Sequence, residues 1–445
     1  MNIKLSGINV DIEALTLSIG EISPETIVAA YSRVSRKDLP INELREESYA
    51  DLDKARKSCD KIIHTLGHES VAEHAVFSFD IMGVSRLAVE FIEGFRLCSF
   101  TEKSQRYQRM DGADYIFPIS CSYTVETKSA YKKYMEFVLN SYKEIVSCGI
   151  KPEDARYVLP LTMHAQLGMT ANARNLILTI QRAMTHPLAE VRSFGDNLYK
   201  QLKEIAPSIF SEKILVQDKM SQIYSILHDK FKDVAHGHVS ADSVTLLNHT
   251  QHGDLVISQA LIHRATSLSM NEIQKLFLNI NGHQFKDIFN TVFKLMNKRN
   301  SLPREFEHAS ATFEIQGSAS WFAQLKRHRM ASISPQQYWP GLGYVIPESI
   351  SNNNKAFRVF LSVMQASNEE YIKNPTSAES SYVLTNAHKR RVIITMNYRD
   401  LYNFAKLRMD PHAQWEIRAT ATEMINKMKE KSYAMSAAYG ANERG

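Results

Sequence analysis

Cysteine is scarce: Cys59, Cys98, Cys121 and Cys148 are four in 445 residues, none forms a CxxC pair and none lies beyond mid-chain. A disulfide framework and a zinc ribbon are both excluded by that spacing, and a reducing cytoplasm is the expected setting. Long apolar runs are missing too. No stretch reaches the roughly eighteen apolar residues of a membrane span. The first twenty residues, MNIKLSGINVDIEALTLSIG, scatter acidic groups among short apolar patches, unlike a signal peptide. There is no Pro-rich, Gly/Ser-rich or low-complexity tract. Charge of one sign is also in short supply. The 53 Lys+Arg against 48 Asp+Glu give +5, which argues against a nucleic-acid-coating protein while leaving room for a local cationic grip on a phosphate.

What remains is an ordinary globular composition, 44% hydrophobic and 23% charged, long enough for two or three domains. The chain resembles itself. GHESVAEHAVFSFDIMG at 67–83 is answered by LPREFEHASATFEIQG at 302–317, with His74 and His308 separated by 234. GFRLCSF answers RHRMASI, with Arg96 and Arg329 separated by 233. NARNLILTIQRAMTHPLAEVRS answers NYRDLYNFAKLRMDPHAQWEIRA, with Asn172 and Asn397 separated by 225. Upstream, Ser35 and Thr266 continue the series at 231. Matched blocks in one order imply two diverged copies of a domain-sized unit. The expected division is copy one at 1–212, a linker helix and loop at 213–240, and copy two at 241–445.

Within each copy, VFSFDIMG and ATFEIQG alternate like strands, and the segments before EHA and after the Asn/Arg block read as helices. The expected fold class is therefore α/β (α+β), with a mixed sheet flanked by helices in each copy. Asp410-Pro411 reads as an N-cap and first-turn proline opening a helix at His412, and His186-Pro187 is its counterpart before a helix through Glu190, Arg192 and Tyr199.

Lys326-Arg327-His328-Arg329 is either a cradle for an oxyanion, since guanidinium forks pair with such groups, or a solvated basic face. The copy-one counterpart continues into Glu102-Lys103-Ser104-Gln105-Arg106-Tyr107, which offers a carboxylate, a hydroxyl and a guanidinium for a nucleotide monophosphate, or else a plain helix cap. Cys98 falls beside Arg96 but is answered by Ala331, so packing is favoured over nucleophilic catalysis. Ser104 has no His/Asp arrangement to activate it. His228, His236 and His238 lack a ligand spacing, and His412 with Glu416 lacks a third ligand, so no metal is expected. Trp321, Trp339 and Trp415 all fall in copy two, where packing outweighs stacking on a bound ring.

Together these motifs resemble the flavin-dependent thymidylate synthases. That family's signature is Arg-His-Arg, seven residues, then Ser-x-Arg-Tyr, preceded by a His-Glu-Ser/Thr-x-x-Glu-His block and followed by Asn-x-Arg and an Arg-x-x-x-His-Ala-Gln-Trp-Glu helix. The resemblance covers most of the chain, as a tandem pair of thymidylate-synthase-complementing-protein-like units. The copies depart from the signature in complementary places. Copy one keeps His68, Ser70, Glu73, His74, Glu102, Ser104, Arg106, Tyr107 and Arg156, but has Gly94-Phe95 for Arg-His. Copy two keeps Gln324, Arg327, His328, Arg329, Asn397, Arg399, Asn403, Arg408 and the HAQWE segment from His412, but has SPQQYW at 334–339 and Ser381 opposite Arg156.

The resemblance implies reductive methylation of deoxyuridine monophosphate (dUMP) at C5, with methylenetetrahydrofolate as carbon donor, NAD(P)H as reductant and flavin adenine dinucleotide (FAD) as cofactor. It assigns FAD contacts to His68, Ser70, Glu73, Arg327, His328, Arg329, Asn397, Arg399, Asn403 and His412. It assigns nucleotide contacts to Glu102, Ser104, Gln105, Arg106, Arg156, Arg182 and Gln324. Arg182 and Arg408 would favour ionisation of the uracil N3. It also implies a homodimer imitating the family's tetramer. The same chemistry on another pyrimidine nucleotide or a polymer uracil, and a flavin- or nucleotide-binding protein without catalysis, are the alternatives.

Overall fold

The computed structural model describes residues 1–17, 22–110, 114–117, 125–216, 222–231, 234, 242–296, 300–373 and 378–443. Cys121, His236, His238 and parts of the expected 213–240 linker lie outside them; a helix covers Gln222–Phe231. The chain packs as two compact units, one of Met1–Gly237 with Ile346–Asn386, the other of His238–Val345 with Ala387–Gly445. The units therefore do not follow the linear order of the copies, because a stretch of copy two packs into the first.

Unit one is built on β1 (Asn2–Ile8), β2 (Val76–Ser85), β3 (Ser99–Glu102) and β4 (His164–Asn172), in the order β1-β2-β4-β3. Unit two repeats this with β5 (Val244–His249), β6 (Ser310–Ser318), β7 (Ser332–Pro335) and β8 (Lys389–Asn397), ordered β5-β6-β8-β7. The α+β class holds. Every strand pair is antiparallel, so the sheets are not mixed as expected: the long, helix-containing connections return each strand beside its neighbour in the opposite direction.

Alternation sets which face is covered. Phe77, Phe79 and Ile81 of β2 and Leu167, Met169 and Ala171 of β4 point to one side and are buried. They meet Leu176, Ile180, Val191, Phe194 and Leu198 from the helices Ala173–Met184 and Ala189–Ile205. Each buried large side chain there contributes about 2 kcal/mol. Ala311, Phe313, Ile315, Val392, Ile394 and Met396 do the same in unit two.

The registers also locate where the copies diverge in length. Ile81 pairs with Leu167 and Ile315 with Val392, 234 apart in β2 and β6, whereas Ser85 and Ser318 are 233 apart. The extra residue is Gly83, a bulge at φ +66° that glycine adopts without a Cβ clash.

Both sheets end in the same device. Ser85 caps the helix Arg86–Ile92, its Oγ accepting from Ala88 N at 2.9 Å, and it gives its own N–H and hydroxyl to Glu190 at 2.7 and 2.6 Å. Ser318 caps Ala319–Leu325, accepting from Trp321 N at 3.1 Å, and gives its N–H at 2.8 Å and its hydroxyl at 2.5 Å to Glu416. Glu190 gains a third donor, Tyr382 Oη at 2.6 Å, from the copy-two segment that packs in unit one. Burial, then the Glu190 carboxylate, holds the Tyr382 phenol far above its ordinary value, so it stays a donor.

The helix expected to open after Asp410-Pro411 starts later. Asp410 Oδ1 accepts from His412 N at 2.8 Å in a side-chain turn, and the helix is Trp415–Lys429, capped by Gln414 Oε1 from Glu416 N and Ile417 N. The copy-one helix through Glu190, Arg192 and Tyr199 is Ala189–Ile205.

Because the Glu190 carboxylate satisfies several buried donors at once, Glu190→Ala should lower stability by roughly 3 kcal/mol, and Tyr382→Phe by about 1 kcal/mol. The shift of the urea unfolding midpoint measures both. Equal, near-zero shifts would contradict the clamp.

Candidate active site

In unit one, β3 and β4 diverge beside the Gly83 bulge and leave a cleft of about 370 Å³. Arg86, Ser104, Gln105, Arg109, His164 and Ala165 are among its lining residues. Two of the expected nucleotide contacts, Ser104 and Gln105, are there. Glu102 is buried in an ion pair with Arg86, which fixes the carboxylate at the end of β3. Arg106 is engaged by Glu153 at 2.6 Å and lies over the Tyr107 ring. Arg156 is buried, its Nε donating to Glu153 O at 3.1 Å. Neither guanidinium lines the cleft.

Gln105 has a defined orientation. Asn386 Nδ2 donates both to Arg156 O at 3.0 Å and to Gln105 Oε1 at 3.2 Å. Since the Arg156 carbonyl only accepts, the Asn386 amide is fixed, and Gln105 must turn its oxygen toward it. Its Nε2 is then a buried donor without a partner among the described residues, on a side chain only 6% exposed. Such a donor is costly unless a ligand or water accepts from it. Burial lowers His164 below its ordinary value, with Asp114 opposing, so its imidazole is neutral near pH 7.

In unit two, the short helix Ala319–Leu325 delivers Arg327, His328 and Arg329 into the turn that follows. Arg408, from the helix Tyr398–Arg408, donates its Nε to His328 Nε2 at 2.8 Å, Nη2 to Gln324 O at 3.0 Å and Nη1 to Gln324 Oε1 at 3.3 Å. Guanidinium can only donate, so His328 Nε2 is the acceptor and its proton sits on Nδ1. Burial, then the neighbouring Arg408 charge, pushes His328 down to about 3. Four expected site residues, Gln324, His328, Arg408 and the flanking Arg327, thus converge on one turn.

Other expected residues prove to hold elements together. Asn397 caps its helix, accepting from Asp400 N at 2.8 Å. Arg399 donates to Leu302 O at 2.7 Å and pairs with Glu307 at 2.9 Å. Copy one repeats this: Asn172 accepts from Asn175 N at 3.0 Å, and Arg174 pairs with Glu73 at 2.6 Å. His68 meets Arg36 at 3.0 Å; Ser70, Asn403 and His412 are exposed.

Where copy two has Gln324 and His328, copy one has Phe91 and Phe95. Arg182 lies 5.9 Å from the Phe95 ring, as Arg408 lies on His328. Phe91 packs edge-on against Phe95 and His186. Burial, then Arg192, pushes His186 down to about 4.

Cys98 and Ala331 are both core residues, and Trp321 is fully buried. Glu416 serves Ser318 and His412 lies outside the helix, so the two do not form a ligand pair. Among the described residues no metal-ligating cluster occurs, and no helix is long and apolar enough to cross a membrane. Arg86, Arg109 and His164 were not anticipated. Arg86 and His164 carry one sequence signal, a charge or imidazole at a strand end; Arg109 carries none.

The chain matches the family described as thymidylate synthase complementing protein twice, over residues 19–208 and 245–432. It belongs to that family, in two tandem copies. A flavin-dependent thymidylate synthase of Geobacter sulfurreducens is 35% identical over 192 residues, covering 42% of this chain and 82% of its own. A UPF0159 protein of Thermoplasma acidophilum is 22% identical over 470 residues, covering 91% of this chain and 92% of its own. Among solved structures, a flavin-dependent thymidylate synthase from Helicobacter pylori complexed with FAD and dUMP aligns with 48% of this chain and 99% of its own, at 17% identity and a TM-score of 0.36.

A neutral buried His328 makes the chain acid-sensitive in a defined window. Its folded value is below the unfolded value near 6.5, so its contribution is complete above about pH 6.5 and is lost as pH falls toward 3. His186 acts with the same sign. His328→Gln should therefore lose less stability than the wild type between pH 7 and pH 4.5, by about 2 kcal/mol, in urea titrations at the two pH values. Equal losses would contradict the neutral assignment.

Proposed function

We propose that the chain is a flavin-dependent thymidylate synthase that reductively methylates dUMP at C5, using methylenetetrahydrofolate as carbon donor and NAD(P)H as reductant, with FAD as cofactor. Membership of the family supports the chemistry. The observation that carries it to this chain is the pair of complementary site fragments: an anion-accepting cleft with an unsatisfied Gln105 amide in unit one, and the Gln324–His328–Arg408 network beside Arg327 and Arg329 in unit two.

The donor chemistry fits the ligands. Ser104 and Gln105, with Arg109 at the rim and Arg86 fixed behind them, supply neutral and cationic donors of the kind a nucleotide monophosphate needs. The family resemblance also assigns Arg106, Arg156, Arg182 and Gln324 to the nucleotide, but none of the four lines this cleft, and Arg106 and Arg156 are engaged by Glu153. Arg327, His328 and Arg329 supply a fork-and-imidazole set suited to a dinucleotide cofactor, with Asn397, Arg399, Asn403 and His412 in supporting positions and His68, Ser70 and Glu73 as the copy-one remnant. FAD, when bound, would take hydride from the nicotinamide and pass it to the one-carbon unit.

The chain's own contribution is electrostatic. Arg408 stays protonated throughout the physiological range, and its charge favours the anionic form of an imide placed against it. His328 holds that guanidinium by accepting from its Nε, and Gln324 does so through two oxygens. Arg408 is thereby oriented by His328 and Gln324. We propose a cytoplasmic homodimer in which two chains supply four units.

Tritium release from C5-labelled dUMP, with methylenetetrahydrofolate and NAD(P)H present, tests the reaction. Bound flavin without turnover would favour a binding protein that has lost catalysis. Arg327→Ala combined with His328→Ala should strip the visible flavin absorbance from the purified protein while leaving it folded. Gln105→Leu should raise the KM for dUMP about tenfold with flavin content unchanged. Loss of both ligands in either variant would contradict the division of roles.

A further inference from the structure

The two copies can be superposed in register, and this identifies what has become of the nucleotide cleft in unit two. Ser99 to Glu102 pair with Thr170 to Leu167, and Ser332 to Pro335 pair with Thr395 to Val392. Lys103 N donates to Gln166 O at 3.0 Å, and Gln336 N to Arg391 O at 2.9 Å. Position by position, Gln105 corresponds to Tyr338, Val89 to Phe322 and Ala165 to Arg390. In unit one the small Ala165 side chain lines the open cleft. In unit two the Arg390 guanidinium lies 4.0 Å from the centre of the Tyr338 ring and 4.5 Å from that of Phe322. Its Nε donates to Gln336 O at 2.7 Å. Arg390 is only 7% exposed and Tyr338 only 2%.

We infer that Arg390 is an internal plug: its side chain occupies, in unit two, the space that in unit one is left for the nucleotide, so each chain binds one nucleotide and binds it in unit one. The inference rests on the reading of the unit-one cleft as the nucleotide site.

A second difference acts in the same direction. The Gly83 bulge that borders the unit-one cleft has no counterpart in β6, where Gly317 pairs regularly with Arg390. A Cβ at Gly317 would sit 2.3 Å from the buried Trp321 ring, so the strand is packed flat against indole there. The plug is also chemically complete. One cation fills the volume, stacks on two aromatic faces and spends a donor on a backbone carbonyl. At the position of Gln105, whose Nε2 has no partner among the described residues, unit two has the buried Tyr338.

Equilibrium dialysis of the full-length protein against labelled dUMP reads the stoichiometry. One nucleotide per chain is the expected result, and two per chain would overturn the plug. No binding at all would instead sink the nucleotide reading of the unit-one cleft. Transplanting the plug gives the independent arm. Ala165→Arg should reduce dUMP affinity at least about a hundredfold, the scale of losing several polar contacts, while flavin content and the thermal unfolding midpoint stay near wild type. A folded Ala165→Arg protein that binds dUMP normally would overturn the inference. Should that variant not fold, Gln105→Tyr, which copies the other half of the plug, is read in the same way; retained wild-type affinity would again overturn it.

Discussion

A buried carboxylate held by a serine at a strand end organises both units, and most of the site geometry follows from it. The Glu190 and Glu416 side chains are almost entirely removed from water. An ionised carboxylate in such a place must be met by donors on nearly every lone pair. In each copy the same serine provides two of them, its own N–H and its hydroxyl, while its oxygen simultaneously caps the following helix. One group therefore fixes where the strand stops, where the short helix starts and how the long helix carrying the glutamate lies across both. The short helix has only seven residues in each copy, about 10 Å, so pinning its first turn leaves little freedom at its last. In unit two that last turn carries Gln324 and the Arg327-His328-Arg329 turn. In unit one the first residue after the cap is Arg86, which holds Glu102 and borders the cleft.

On this common frame each copy has been filled in where it no longer offers a ligand site. A polar network that loses its partners is worse than none, because every buried donor left over costs free energy. Copy one has replaced the Gln324 and His328 positions by Phe91 and Phe95, turning a hydrogen-bonded cluster into edge-to-face aromatic packing. Copy two has done the converse, replacing an alanine by Arg390 and closing the volume with a stacked cation. These fillings are of opposite polarity, one aromatic and one cationic. The Gln105 Nε2, a buried donor without a partner among the described residues, belongs by contrast to a side chain that lines the open cleft.

Much of this frame was legible in the sequence. Strands β2 and β6 showed as alternation, the helices as the segments around the matched blocks, and the repeat as order and spacing. Even the drop from 234 to 233 is visible beforehand, although only the register shows that Gly83 causes it. The next drop, from 233 to 225, means eight more residues between β3 and β4 than between β7 and β8. Gln324, His328 and Arg408 were each singled out through the family resemblance, in three different roles, and only the structure shows that they meet. The rest was hidden for physical reasons. Asp410-Pro411 carries a strong helix-start signal, but its side chain closes a local turn and leaves the cap to Gln414. Arg390 sits in the run Lys389-Arg390-Arg391, which reads as a charged strand end, and only the pleat shows that the middle cation points inward. Arg106 and Arg156 look like free phosphate ligands in the motif, yet both find Glu153, a residue no motif singles out.

The segment at 346–386 carries the deepest consequence of the duplication. Its helix Asn354–Ile372 packs against Val125–Ser147, with Tyr134 Oη 2.7 Å from Ser367 Oγ and donating to Val383 O at 2.6 Å. Its last residues pair with copy one through Leu161 N to Leu384 O at 2.8 Å and Asn386 N to Leu159 O at 2.9 Å. Asn386 then orients Gln105, and Tyr382 completes the coordination of Glu190. The cleft of unit one thus takes its lining from copy one and its second layer from copy two. Side chains in a binding site are only as well placed as the groups that hold them, so copy one without this segment would keep Gln105 in sequence and lose the group that orients its amide. The tandem arrangement is accordingly more than two units on one chain. Covalent linkage places the supporting segment at a high effective concentration beside the cleft it supports, and this makes the two copies interdependent in fold as well as complementary in chemistry.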